Sequence, residues 1–171
     1  MSARSGQMVF DFDDAVFRNA NGDHAPLRSR AFNSVCSSAA HVVAGNSWLA
    51  EQVPDNVQNL SIIPTCIDAA RYTPTESPCR SGPVRIGWIG TSGNQKYLKH
   101  VIPALEQLRR DGFEFEFCMC SDIEPLAELQ RLNPTFLRWS ADTEVDTLRS
   151  FDIGIMPLDD SDWCRGKCSF K

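Results

Sequence analysis

The stretch that decides the fold is residues 84–98, which read VRIGWIGTSGNQKYL. An apolar run from Val84 to Ile89 leads into a turn with two glycines, and apolar residues then recur at helical spacing from Leu98. This pattern predicts a buried β-strand, a tight turn and a helix. The N–H groups and dipole of a helix N-terminus attract anions, and ligands of open α/β sheets bind at this edge. The turn therefore predicts a phosphate-bearing ligand.

The local sequence of the turn also fits an ordinary strand-to-helix connection. A serine or asparagine helix cap would explain Ser92 and Asn94 equally well. The turn matches neither the dinucleotide fingerprint Gly-x-Gly-x-x-Gly nor the P-loop, which ends in Gly-Lys-Ser/Thr. The two interpretations stay open on these residues alone.

Segments with strand and helix patterns alternate along the whole chain. We predict strands at 7–12, 41–44, 60–63, 84–89, 114–119, 136–139 and 152–157, and helices at 28–39, 46–53, 95–110, 122–131 and 142–149. Pro103 should kink its helix or delay the start of the regular helix. Alternating strands and helices predict an α/β fold with a Rossmann-like parallel sheet and flanking helices.

A change of composition divides the chain. Residues 64–83 are rich in proline, threonine and serine, so we predict a mostly irregular linker with few contacts, between domains at 1–63 and 84–171. The first strand starts close to residue 1, and the chain stops at Lys171, where a helix is expected to start. We therefore expect an incomplete chain, truncated at both ends.

Composition excludes several classes of function. The 171 residues carry a net charge of −5 without a basic stripe, which argues against nucleic acid as a partner. The longest apolar runs are too short to span a bilayer, and residues 1–6 do not resemble a signal peptide, so we expect a cytoplasmic protein. The seven cysteines and three histidines show no metal-binding spacing, which predicts reduced thiols and no metal. We also expect no cofactor.

Three acids lie at the end of the first predicted strand, in the run Asp11-Phe12-Asp13-Asp14. Alternation places Asp11 and Asp13 on one face of the strand, and Asp14 begins the loop. Paired carboxylates could hold a metal, act as nucleophile and acid, or orient hydroxyls. A solvated strand end, with Asp14 stabilising a turn, explains the same residues.

Two cations follow the last predicted strand. Arg165 and Lys167 lie in residues 157–167, PLDDSDWCRGK, and we expect them at the same sheet edge as the Gly90 turn. Cations in that position would neutralise a diphosphate and stabilise its departure. A solvent-facing charged loop is the alternative interpretation.

Five runs occur in an order that resembles the retaining GT-B glycosyltransferases of family 4. They are VFDFDDAVF (9–17), VVAGNSWLA (42–50), IPTCID (63–68), IGWIGTS (86–92) and DIGIMPL (152–158), with Arg165-Gly166-Lys167 after the last. The resemblance implies two Rossmann-like domains that face each other across a cleft. The nucleotide-sugar donor would bind mainly to the C-terminal domain and the acceptor mainly to the N-terminal one.

The resemblance also implies roles for individual residues. The donor phosphates would lie at Gly90, Thr91, Ser92 and Gly93 and near Arg165 and Lys167. The candidate catalytic acids are Asp13 and Asp14, at a strand end where many relatives have a histidine. The paired-glutamate motif that binds the donor in this family would follow Lys171.

The implied activity is transfer of a hexosyl group from a nucleotide-sugar to a glycan, lipid or small-molecule acceptor, with retention and without a metal. The resemblance is compatible with peripheral membrane association of the complete protein. We expect these 171 residues alone to be inactive.

Two other interpretations come from different classes of protein. The run VFDFD (9–13) looks like the first motif of haloacid-dehalogenase-type phosphatases, with Asp11 as nucleophile, Asp13 as acid/base and Mg²⁺ between them. Asp159, Asp160 and Asp162 could supply the later acidic motif, but the expected lysine motif is not evident. The third interpretation is a non-catalytic nucleotide-binding module.

Overall fold

The computed structural model describes residues 7–74 and 81–168, which form two compact units. The first unit contains residues 7–67 and 159–168, and the second contains residues 68–74 and 81–158. The strands are β1 (Val9–Phe12), β2 (His41–Ala44), β3 (Leu60–Ile62), β4 (Val84–Ile89), β5 (Phe115–Ser121), β6 (Thr135–Arg138) and β7 (Ile153–Gly154). The α-helices are α1 (Pro26–Ser38), α2 (Ser47–Ala50), α3 (Ile102–Arg110), α4 (Glu144–Arg149) and α5 (Asp162–Arg165). Two 3-10 helices, Ser92–His100 and Ala127–Leu132, complete the secondary structure.

The first unit is built on a three-stranded parallel sheet in the order β1-β2-β3. Phe12 and Val42 face a core in which the rings of Phe12 and Phe32 lie edge to face, 5.0 Å apart. Phe32 comes from α1, which begins with Pro26 in its first turn, where the missing N–H of proline costs no hydrogen bond. The core therefore lies between the sheet and α1.

The second unit contains a four-stranded parallel sheet in the order β6-β5-β4-β7. The middle of β5, from Phe117 to Cys120, is at most 1% exposed, because side chains on both of its faces are covered. Counted along this unit, the strand order is 3-2-1-4, as in the first part of a doubly wound sheet. The order reverses between β4 and β7, and ligands of such sheets bind at the carboxyl ends of the strands on either side of that point.

The α/β class and the parallel sheets are confirmed. β4 has its predicted bounds, and β4 and β7 pair in parallel, with Gly87 opposite Gly154. The helix predicted at 95–110 is instead a 3-10 helix followed by α3, which has Pro103 in its first turn. Proline lacks an N–H and clashes with the preceding turn of a helix, so the regular helix begins close to Pro103. Of the two outcomes expected for Pro103, a kink or a later start, the structure has the later start.

Several predicted elements are shorter in the structure. The helix predicted at 122–131 is the 3-10 helix Ala127–Leu132, which follows Pro125. The strand predicted at 152–157 is reduced to the two residues of β7. The helix expected to extend to Val53 ends at Ala50 as α2.

The boundaries of the two units differ from the predicted domains. Residues 64–74 are irregular, as predicted, but 68–74 are part of the second unit. Arg71 donates to the carbonyl of Ala141, and the Nε of Arg149 donates to the carbonyl of Thr73 at 3.0 Å. The rest of the predicted linker, 75–80, lies outside the described residues. Residues 159–168, predicted within the domain at 84–171, belong to the first unit.

Candidate functional site

The glycine turn lies directly after β4, at the point where the strand order of the second unit reverses. The N–H of Gly90 still donates to Cys120 on β5, at 3.0 Å, so the turn starts from a fixed strand end. A Cβ at Gly90 would lie 2.5 Å from the ring of Trp88, which is buried. Position 90 therefore requires glycine because the Trp88 ring packs against the backbone.

Two backbone donors of the turn are free to bind a ligand. No acceptor in the described part of the chain takes the N–H of Thr91 or of Gly93. The neighbouring Asn94 is tied into the turn, since its N–H donates to the carbonyl of Thr91 at 2.9 Å and its side chain to the Thr91 hydroxyl at 3.2 Å. A Cβ at Gly93 would meet nothing within 4 Å, so there is open space beside the backbone.

The third amide of the turn is occupied by a carboxylate. The N–H of Ser92 donates to Oδ1 of Asp122 at 2.6 Å, and the Ser92 hydroxyl donates to Oδ2 at 3.0 Å. The backbone hydrogen bond from Ser92 is the main reason why the pKa of Asp122 lies below its usual value. Ser92, predicted to bind phosphate, is thus already paired with an acid of its own chain.

Asp122 was not identified from the sequence. It follows β5, the strand beside β4, so both turns lie at the same edge of the sheet. The available signal was an acid three residues after the strand predicted at 114–119, at the start of the helix predicted at 122–131. Its contact with Ser92, thirty residues earlier, has no signature in the local sequence.

A fully buried glutamine holds the loop that carries Asp122. The Gln95 amide donates to the carbonyls of Ile123 and Glu124 at 3.2 Å, and its oxygen accepts the N–H of Leu126 at 3.0 Å. The loop is also held by Arg138, whose Nη1 donates to the carbonyl of Asp122 at 2.9 Å. The turn after β4 and the loop after β5 are therefore held in one arrangement.

The predicted phosphate-binding cations lie in the first unit. The Nζ of Lys167 is 2.7 Å from Oδ1 of Asp14 and lies over the ring of Trp163. The Nε of Arg165 is 2.8 Å from Oδ1 of Asp160, and both side chains of that pair are more than half exposed. Residues 159–168 belong to the first unit and the Gly90 turn to the second, so the predicted proximity of the cations to the turn stays a prediction.

Close packing explains where residues 159–168 lie. A Cβ at Gly166 would be 2.8 Å from the backbone nitrogen of Ala15, so only glycine allows this approach. Asn46 joins the two parts of the first unit, since its Oδ1 accepts the N–H of Leu49 at 2.8 Å while its Nδ2 lies 3.3 Å from the carbonyl of Arg165. The segment is thus fixed to the loops that follow β1 and β2.

The three acids at the end of β1 have different surroundings. Asp14 is paired with Lys167, whereas Asp11 and Asp13 line a cavity of about 490 Å³. The cavity also contacts Gly45, Ile63 and the segment Pro64-Thr65-Cys66, at the carboxyl ends of β2 and β3. The structure thus brings Asp11 and Asp13 to one cavity and gives Asp14 a separate ion pair.

Burial opposes the ionisation of three thiols. Burial raises the pKa of Cys36 to about 11, and burial also raises the pKa values of Cys120 and Cys168. Among the described residues there is no group of three or more metal-ligating side chains. None of the helices in the described ranges is long and apolar enough to cross a membrane.

A scan against protein-family models and a comparison with curated proteins both find no match to this chain.

Proposed function

We propose that the second unit binds a nucleoside diphosphate sugar at the Gly90 turn, and that the chain is part of a retaining GT-B glycosyltransferase of family 4 that transfers hexosyl groups. The observation that carries the proposal is the pair of unpaired N–H groups, of Thr91 and Gly93, at the carboxyl end of β4. Parallel sheets with this strand order bind nucleotides at the carboxyl ends of the strands beside the reversal, which supports the proposal. The five runs that resemble family 4 supply the assignment to a reaction class.

The proposed chemistry follows from where charge develops. As the bond from the sugar to the diphosphate breaks, negative charge grows on the leaving oxygen, and fixed N–H donors stabilise such charge. The Thr91 hydroxyl, which accepts from Asn94, keeps its proton for a phosphate oxygen. Arg165 and Lys167 are engaged by acids of the first unit, so the proposal rests on the turn and not on these cations.

On the acceptor side we assign the acid to Asp13. It lines the cavity of the first unit, whereas Asp14 is held by Lys167. An ionised carboxylate accepts hydrogen bonds from hydroxyls, so Asp13 would orient an acceptor hydroxyl on a glycan, lipid or small molecule. We propose no metal and no cofactor for the transfer.

Binding of nucleoside diphosphates in the presence of EDTA tests this proposal. We expect UDP, GDP or ADP to bind the wild-type chain, measured by titration calorimetry. Gly93→Ala should weaken binding by about tenfold, because its methyl group fills the space beside the N–H donors and blocks a hydrogen bond to a charged oxygen.

Gly154→Ala is the matched control. A Cβ at Gly154, like one at Gly93, meets nothing within 4 Å, and neither glycine has a positive φ. Both variants should unfold at the wild-type temperature, and Gly154→Ala should keep wild-type affinity. Equal affinity of the wild-type and Gly93→Ala chains would contradict the assignment of the phosphates to this turn.

One observation favours a second candidate, a phosphatase of the haloacid-dehalogenase type. Asp11 and Asp13, its nucleophile and its acid, line the same cavity. That activity would appear as Mg²⁺-dependent hydrolysis of p-nitrophenyl phosphate, lost in Asp11→Asn. Hydrolysis with those properties would favour the phosphatase, whereas metal-independent nucleotide binding without it favours the transferase or a non-catalytic nucleotide-binding module.

A further inference from the structure

We propose that β3 pairs with the β3 strand of a second copy of this chain, antiparallel and around a twofold axis, to form a dimer that dissociates on dilution. The sheets of the two first units would then join into one continuous sheet. This inference concerns the first unit and does not depend on nucleotide binding to the second.

β3 is an edge strand, and one side of its backbone is open. The N–H of Ile63 donates to the carbonyl of Ala44 on β2 at 3.0 Å. Because the backbone groups of successive strand residues point to opposite sides, Leu60 and Ile62 direct their N–H and C=O groups away from β2. No strand of the described ranges pairs with that side of β3. Such free edge groups are a template for pairing with another chain.

The apolar side chains of β3 extend beyond the covered part of the core. Leu60 and Ile62 lie opposite Val42 and Ala44 of β2, so they point to the same face of the sheet. Val42 and Ala44 are 0% exposed, whereas Leu60 is 37% and Ile62 is 50% exposed. A further strand along this edge would remove the two exposed side chains from water, which favours association.

The edge is complementary to itself in one antiparallel register. When the Ser61 residues of the two copies lie opposite each other, Leu60 of each copy lies opposite Ile62 of the other. Both residues direct their backbone groups outward, so each such pair exchanges two hydrogen bonds. Each pair also joins two apolar side chains, and the twofold axis repeats every contact. A second copy of this chain therefore fits the edge in hydrogen bonding and in polarity.

The distribution of charge also favours pairing through β3. Residues 56–67 contain no charged side chain, although the whole chain carries a net charge of −5. Two copies can thus meet along β3 without like charges in the ladder. The other edge strands have features that oppose pairing: β1 contains Asp11, β6 ends in Arg138, and β7 has two residues.

The length of the ladder sets the strength of the dimer. Pro64, the next residue whose backbone would face the second copy, has no N–H to donate, so the ladder ends there. Interfaces that bury less than about 1,200 Å² are typical of weak complexes. We therefore expect a dissociation constant of about 100 µM.

Sedimentation equilibrium of the whole chain tests the dimer. A phosphine reductant is present, because the exposed Cys66 could otherwise cross-link two copies. We expect monomer at about 5 µM and mostly dimer at about 500 µM. Ile62→Lys should weaken association at least about tenfold, since a charge on an edge strand opposes pairing.

Leu27→Lys is the matched control. It makes the same kind of change at a side chain that is 80% exposed on α1. Its dissociation constant should stay within about twofold of the wild-type value. A dimer that Ile62→Lys does not weaken, or that Leu27→Lys weakens equally, would overturn the assignment to β3.

Leu60→Glu combined with Ile62→Lys tests the register. Each variant alone places its charge opposite an apolar side chain of its copy. In an equal mixture, the heterodimer brings the new carboxylate opposite the new ammonium group and keeps one apolar pair. We expect the mixture to associate about threefold more tightly than either variant alone. A mixture that associates no more tightly than the separate variants would overturn the proposed register.

Hydrogen exchange of the wild-type chain gives a result that does not depend on any variant folding. The amides of Leu60 and Ile62 should exchange more slowly at about 500 µM than at about 5 µM, because pairing supplies their acceptors. Mass spectrometry of peptides that contain residues 59–63 measures this difference. A chain that stays monomeric at the higher concentration, or amides whose exchange does not depend on concentration, would overturn the inference.

Discussion

At the scale of single residues, two glycines that face each other across a strand pair have opposite surroundings. Gly87 on β4 lies opposite Gly154 on β7. A Cβ at Gly87 would overlap the ring of Phe151 at 2.0 Å, whereas a Cβ at Gly154 would meet open space. The sequence identifies both as strand glycines but does not indicate which of them the packing requires.

We expect Gly87→Ala to lower the free energy of unfolding by about 1–3 kcal/mol, since the methyl group forces Phe151 out of its place. Gly154→Ala should change it by less than about 0.5 kcal/mol. Urea unfolding followed by tryptophan fluorescence measures both. A Gly87→Ala protein as stable as Gly154→Ala would show that Phe151 does not occupy the position described.

The acid dependence of stability provides a second test at the residue scale. Asp122 has a pKa below its usual value in the folded chain, so its contribution to stability is present above the usual carboxyl pKa. That contribution is lost as the pH falls through the lowered pKa. Asp122→Asn should therefore cost more stability at pH 7 than at about pH 3, which lies below the usual carboxyl pKa. An equal loss at both pH values in urea unfolding would contradict the ionised contact with Ser92.

The cysteines should differ in reactivity. Cys66 is exposed, whereas Cys36, Cys118 and Cys120 are buried and burial raises the pKa of Cys36 to about 11. Because the thiolate is the reactive form, iodoacetamide at pH 7.5, a value near neutrality, should modify Cys66 well before these three. Mass spectrometry of peptides measures the order. Modification of Cys36 as fast as Cys66 in folded protein would contradict the described core.

At the scale of elements, the side-chain amide of Asn46 contacts two helices, one through its oxygen and one through its nitrogen. Its oxygen caps the N-terminus of α2, and its Nδ2 faces the last carbonyls of α5. The N-cap was predictable from an asparagine before an apolar segment. The link to α5 was not, because residues 119 positions away in sequence meet only after folding.

Asn46→Asp should separate these two functions. Aspartate keeps the acceptor for Leu49 but replaces the donor with an oxygen that repels the carbonyls of α5. We expect a loss of about 1–3 kcal/mol, at least as large as the loss of a cap in Asn46→Ala. Asn56→Asp is the control, because the Asn56 side chain makes an exposed hydrogen bond to the Ser37 hydroxyl. It should lower the free energy of unfolding by less than about 0.5 kcal/mol. Thermal unfolding of an Asn46→Asp protein at the wild-type temperature would contradict the link.

Most strands could be predicted from the sequence because their signals are local. β4 is an apolar run bounded by proline and glycine, and it was located to the residue. The elements predicted at 122–131 and 152–157 were too long, since periodicity does not show where backbone hydrogen bonds stop. They correspond to the 3-10 helix Ala127–Leu132 and to the two-residue strand β7. Of the candidate site, the glycine turn was found from its motif, whereas Asp122 and Gln95 act through contacts with distant residues and were missed.

At the scale of the whole molecule, the first unit consists of two segments of the chain, one before and one after the second unit. Residues 159–168 complete the first unit, with Arg18 paired to Asp162 at 2.9 Å and Lys167 paired to Asp14. The sequence suggested the basic loop as a neighbour of the Gly90 turn because the loop follows β7. Sequence order alone does not show that residues 159–168 belong to the first unit.

A chain that ends at Leu158 tests this connection. The first unit would lose both ion pairs and the cover that Gly166 gives to Ala15, so its amide resonances should show reduced protection from hydrogen exchange. The resonances of β4 and β5 should keep their positions. Unchanged protection of β1 and β2 would show that residues 159–168 do not stabilise the first unit.

The central claim is that a diphosphate binds to the free amides of the Gly90 turn. A titration of ¹⁵N-labelled protein with UDP, GDP and ADP in EDTA, followed by amide chemical shifts, tests it most directly. We predict that the largest shifts occur at the N–H groups of Thr91 and Gly93, with smaller shifts at Asp122 and none at Gly154. Saturating nucleotide that leaves Thr91 and Gly93 unshifted, or that shifts the cavity residues Asp13 and Thr65 instead, would contradict the account.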